Sequence, residues 1–173
     1  LAAPADWKMQ ELWLLCRLER LAYLFYHYSE SPFVFSDVYS VESKIDSLYA
    51  VHPEDSETKV FVYMRLAQLK PIYTSHVSYL NWVKSRIRLS GAGQHSDLDN
   101  MPNTFEYYQR AADIAVRLFG EDDVRTLTAR LAFETFCCMN KIGDADEAYG
   151  RIRDIRRRGC QMLNPHDNLI HDA

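Results

Sequence analysis

Residues 105–117 read Phe-Glu-Tyr-Tyr-Gln-Arg-Ala-Ala-Asp-Ile-Ala-Val-Arg, and residues 146–158 read Asp-Glu-Ala-Tyr-Gly-Arg-Ile-Arg-Asp-Ile-Arg-Arg-Arg. A shift of 41 residues aligns them with six identities in 13 positions: Glu106 on Glu147, Tyr108 on Tyr149, Arg110 on Arg151, Asp113 on Asp154, Ile114 on Ile155 and Arg117 on Arg158. In both copies apolar residues recur at helical spacing: Tyr108, Ala111, Ala112, Ala115, Leu118 and Phe119 in the first, and Ala148, Ile152 and Ile155 in the second. Between them, Thr128, Leu131, Ala132, Thr135, Phe136 and Met139 predict one more helix, from about Asp123 to Asn140. The unit is therefore a helix pair repeated at about 41 residues. No segment has the alternation of a strand. The fold class expected is all-α, with antiparallel helix pairs arranged as an α-α superhelix or a helical bundle.

The junction before the middle helix narrows this. Phe119-Gly120-Glu121-Asp122-Asp123-Val124-Arg125-Thr126-Leu127 resembles the junction of tetratricopeptide repeats of the kinesin-light-chain type, which is written Leu-Gly-Glu/Pro-Asp-His-Pro-x-Thr-Leu. Gly120, Glu121, Asp122, Thr126 and Leu127 match it; Phe119 replaces the leucine, and Asp123-Val124 replaces His-Pro. Gly143, Glu147 and Ala148 meet the family's Gly-x-x-x-Glu-Ala signature, and Asn164-Pro165-His166-Asp167 is similar to a degenerate next junction. The resemblance spans residues 105–170, with a fainter echo at His52-Pro53-Glu54-Asp55 and Thr58. It implies stacked helix pairs and a protein-binding role.

Working outward, Asp6 can cap a helix from Trp7 to about Tyr28 that is apolar almost all round and expected to be covered on more than one side, either as the centre of the bundle or by partners outside this chain. A second helix is expected from Ser36 or Asp37 to Val51, with Val38, Val41, Ile45, Leu48 and Tyr49 on one stripe. A third runs from about Ser56 to Lys70, before Pro71, and a fourth from about Tyr73 to Leu89. Residues 90–104 have linker composition. The expected organisation is a helical bundle region over 1–89, a flexible linker over 90–104 and helical repeats over 105–173.

Composition narrows the function classes. A net charge of −4 offers nucleic acid no global attraction. The most apolar run, Leu12 to Tyr26, contains Arg17, Glu19 and Arg20, which excludes a membrane span. Cys16, Cys137, Cys138 and Cys160 form no C-x-x-C pair, so neither a zinc cluster nor a disulfide framework is expected. Reduced, mostly buried thiols in an intracellular, cytoplasmic protein are expected. The six histidines have no metal-ligand spacing, and no phosphate loop or nucleophile elbow occurs. No metal and no cofactor are expected. Acids at Glu121-Asp122-Asp123 suit the N-terminus of the following helix through its dipole.

The densest charge run is Arg151, Arg153, Arg156, Arg157 and Arg158. Arginine binds carboxylate and phosphate bidentately, so these residues are candidate contacts for an acidic peptide or partner helix, as well as a solvated helix face. A nuclear-import patch is a weaker reading of the same run. Tyr107, Tyr108 and Tyr149 join the candidates as aromatic contacts. The function expected is a non-enzymatic protein-interaction or scaffold module, with self-association through the first helix as a further mode. The alternatives are a regulatory fragment of a larger protein, since the chain begins at Leu1, and a small-ligand or enzymatic helical domain with an aromatic-lined pocket.

Overall fold

The computed structural model describes residues 6–27, 32–70 and 104–163. Every regular element among them is a helix, so the fold is all-α: α1 (Trp7–His27), α2 (Pro32–Val51), α3 (57–70), α4 (Thr104–Phe119), α5 (Val124–Met139) and α6 (Ala145–Leu163). The expected helix at 73–89, the linker over 90–104 apart from Thr104, which opens α4, and the Asn164–Asp167 junction lie outside the described residues. The chain divides into two compact units, Leu1–Glu54 with Arg65–Thr104, and Asp55–Met64 with Phe105–Ala173. Residues 55–64 thus group with the C-terminal helices, and α3 contributes to both units.

In the first unit α1 packs against α2. Asp6 accepts a hydrogen bond from the Lys8 backbone N–H at 3.2 Å, capping α1 as its sequence predicts. Leu14, Leu18, Leu21 and Phe25 are buried on one stripe, each contributing about 1.5–3 kcal/mol by burial. Away from that stripe, Met9, Leu12 and Tyr23 are exposed, so α1 is not central to a bundle among the described residues. On α2, Val38, Val41, Ile45, Leu48 and Tyr49 are all buried. The helix begins at Pro32, four residues before the expected cap, because proline in the first helical turn has the right φ and lacks only an N–H that would go unused. Lys70 donates to Glu42 at 2.6 Å, and with side chains 7% and 1% exposed this is a buried ion pair. Each charge is tolerated inside because the other is there.

The second unit begins where Ser56 Oγ accepts the Lys59 N–H at 3.0 Å, opening α3. In the same way Asp123 caps α5 by accepting the Arg125 N–H at 2.8 Å, and Asp144 caps α6 through the N–H groups of Asp146 and Glu147. Helix α4 ends on Gly120, at φ +84°, a left-handed conformation that glycine adopts without penalty. Helix α5 ends differently. Lys141, at φ 54°, takes the left-handed position, and the Lys141 and Ile142 N–H groups bond back to Cys138 and Cys137.

The predicted stripe of α5 is corrected. Thr128, Thr135 and Met139 are exposed, and the buried residues are Thr126, Leu127, Ala129, Glu134 and Cys137. Two polar residues are drawn inward by partners that lie far off in sequence: Thr126 Oγ donates to the Ala115 carbonyl at 3.0 Å, and Glu134 accepts from Arg151 at 2.9 Å. The Thr126 hydroxyl is satisfied, and the Glu134 charge is tolerated because Arg151 faces it, so tertiary partners outweighed apolarity here.

Candidate functional site

The arginine run lies on α6, which packs against α5 through buried Ala148 and Ile155. With about 100° of rotation per residue, the five arginines fall into separate sets. Arg151 and Arg158 lie roughly half a turn from Arg153 and Arg156.

The first set is engaged in holding the unit together. Arg151 Nε donates to Glu134 at 2.9 Å and its Nη1 lies 3.6 Å from Glu147. The hydrogen bond that Arg151 donates to Glu134 raises the Arg151 pKa, with desolvation opposing it, so the guanidinium stays charged. Arg158 reaches Asp122 at 2.8 Å and Asp154 at 3.2 Å. Arg130 meets Glu121 at 2.7 Å, and a cleft of about 370 Å³ lies among Arg130, Arg151 and Arg158. Each of these three cations already has an acid of this chain as its partner.

The Arg158–Asp122 pair has a counterpart. Arg117, which occupies the same place 41 residues earlier, pairs with Asp55 at 2.7 Å. Asp55 belongs to the Glu54-Asp55-Ser56 turn before α3, and Asp122 to the Glu121-Asp122-Asp123 turn before α5. In both copies, then, the arginine near the end of the second helix is tied to the acidic turn that precedes the first.

The second set makes no ion pair among the described residues. Arg153 and Arg156 are exposed, and Tyr149 beside them is 64% exposed. The three span an arc of about 60° on one stripe. Arg157, between the two sets, bonds Asp154 at 2.6 Å and is exposed.

Of the tyrosines expected to contact a partner, Tyr107 is instead a core residue. It is 0% exposed and stacks on Tyr63, with ring centroids 5.8 Å apart, in a geometry favourable to aromatic pairs. Tyr108 is half-buried against Phe136 at 5.4 Å. Only Tyr149 presents its ring to solvent.

Glu134 was not anticipated as a site-ordering residue. It is 8% exposed, and its second oxygen, Oε2, has no hydrogen-bond partner. The signal in the sequence is slight: an acid 17 residues before Arg151, inside a weakly apolar helix. Burial, with the neighbouring Glu134 charge adding to it, raises the Cys137 thiol pKa and keeps it protonated. Among the described residues no cluster of three His, Cys, Asp or Glu side chains could hold a metal ion, and no helix is long and apolar enough to cross a membrane. Comparison with protein-family models, curated proteins and solved structures found no match.

Proposed function

We propose that this chain is a non-enzymatic protein-interaction module, built of tetratricopeptide-like helix pairs, that docks an acidic partner helix or peptide on the outer stripe of α6. The observation that carries the reading is the contrast between equivalent stripes. On α4, Tyr108 packs on the Phe136 ring of α5, the Ala115 carbonyl accepts from the Thr126 hydroxyl of α5, and Ala112 and Ala115 are buried. On α6 the same positions are Tyr149, Arg153 and Arg156, and they face solvent.

Alanine lets a following helix approach closely; an unpaired arginine in that seam would be buried at high cost. A further helix of the α5 kind is therefore disfavoured on α6, whereas a segment bearing carboxylates would gain charge-assisted hydrogen bonds and stacking on Tyr149. A polar outer stripe on a stacked helix array can serve as a recognition surface. The reading goes with an intracellular, cytoplasmic setting, in which the four cysteines stay reduced.

The test is fluorescence anisotropy with a labelled amphipathic peptide carrying glutamates along one face and leucines along the other. Saturable binding is expected, weakening with salt and falling about tenfold in the Arg153→Glu/Arg156→Glu double variant. Binding indifferent to that reversal, or no saturable binding at all, would overturn the reading.

A further inference from the structure

The α1–α2 pair of the first unit has a feature that the interaction role does not use. A cleft of about 370 Å³ opens between the two helices, within the size range of small-ligand sites. Its floor is Leu14 and Leu48, both buried core side chains, and Trp13 and Val51 extend the apolar wall. Lys44 and His52 stand among the lining groups, and no aspartate or glutamate does. That is a local inversion in a chain with 24 acids against 20 lysines and arginines.

The cationic character is concentrated at Trp13. Lys44 Nζ lies 5.8 Å from the centroid of its ring, and the Arg17 guanidinium 5.0 Å. Lys44 makes no ion pair among the described residues and is exposed. The His52 ring is fixed by stacking on Trp7, centroids 5.1 Å apart and planes within 9°, and its backbone N–H bonds the Leu48 carbonyl at 2.9 Å. One end of the cleft is thus held by packing.

The lining discriminates between guests. A cation would meet Lys44 with no acid to balance it. A neutral apolar molecule would fill the floor while taking water from the lysine without replacing its hydrogen bonds. An anion attached to an apolar body satisfies both parts, since a charge-assisted bond to an ammonium is stronger than one between neutral groups. We infer that the α1–α2 cleft binds a small amphiphilic monoanion, an apolar carboxylate or sulfonate whose body lies on Leu14, Leu48 and Trp13 and whose head meets Lys44.

The full chain is titrated with 1-anilinonaphthalene-8-sulfonate, which joins an aromatic body to a sulfonate, and with N-phenyl-1-naphthylamine, its neutral counterpart. Two variants at exposed positions are compared, Lys44→Glu and Ser47→Trp, with helicity checked by circular dichroism. The sulfonate is expected to bind at a single saturable site and the neutral probe about tenfold more weakly. Lys44→Glu should weaken the sulfonate about tenfold, and Ser47→Trp, which fills the cleft, should abolish its binding. Equal binding of both probes, or sulfonate binding unchanged in both variants, would overturn the inference. So would a concentration-dependent dimer in sedimentation that Ser47→Trp dissolves, which would assign the cleft to a second copy of the chain.

Discussion

Helices α4 and α6 are copies by sequence and opposites by environment. Ile114 and Ile155 are both 4% exposed, and Tyr107 and Ala148 are both fully buried, so the face turned to the preceding helix is kept in both. The adjacent face is not. On α4 it carries Tyr108, Ala112 and Ala115 and contacts α5; on α6 it carries Tyr149, Arg153 and Arg156, all exposed. The difference teaches that the repeat preserves how each second helix is anchored, and varies what it offers to whatever comes next. It also divides one arginine run into structural members, Arg151 and Arg158, and available ones, Arg153 and Arg156.

The comparison can be broken most severely by making α4 like α6. Ala115→Arg would force a charge into a fully buried seam beside the carbonyl that Thr126 bonds. The expected cost is at least about 4 kcal/mol, whereas the converse change, Arg156→Ala on α6, should alter stability by less than about 0.5 kcal/mol. Denaturant unfolding followed by circular dichroism measures both, and similar costs at the two positions would remove the distinction between the stripes.

The division of the arginines can be tested at Arg151. Arg151→Met leaves Glu134 without its partner in a buried position, at an expected cost of about 2 kcal/mol. Adding Glu134→Leu should recover most of that loss, because two apolar groups replace the stranded charge. If Arg151→Met is as silent as Arg156→Ala, the structural role given to Arg151 fails.

The smallest effect concerns the acidic turn before α5. Hydrogen bonds from the Arg125 side chain and backbone lower the Asp123 pKa from 3.8 to about 2. A carboxylate whose pKa is depressed on folding contributes stability that is complete above its unfolded pKa and lost as pH falls through the folded one. Thermal stability should therefore decline between about pH 4 and pH 2 in part through this group. Asp123→Asn, which keeps a capping side chain, should flatten that part of the decline. A melting profile of identical slope in the variant would show that Asp123 does not act this way.

The helices were legible where periodicity and caps agreed. The stripe of α2 and the Asp6 cap follow from local rules: apolar spacing and a short acceptor before a helix. The buried face of α5 was not legible, because its decisive residues are Thr126 and Glu134, whose partners Ala115 and Arg151 lie in other helices. Tyr107 and Tyr108 are adjacent and chemically identical; apolar spacing favoured Tyr108 for the seam, whereas Tyr107 is the one stacked in the core on Tyr63 and Tyr108 lies at its edge. For the candidate site, spacing along the chain placed the five arginines and Tyr149 on one helix; it could not sort the arginines, since ion pairing depends on which acids fold into reach.

By itself, the sequence determined the all-α class, the 41-residue repeat and the concentration of positive charge on α6, because these depend on spacing along the chain. Only the tertiary structure decided which charges are spent internally. The Arg117–Asp55 and Arg158–Asp122 pairs join residues 62 and 36 positions apart, and the buried Lys70–Glu42 pair joins residues 28 apart. The physical reason is that a charge acts through distance and solvent exposure, and both are set by folding rather than by order along the chain.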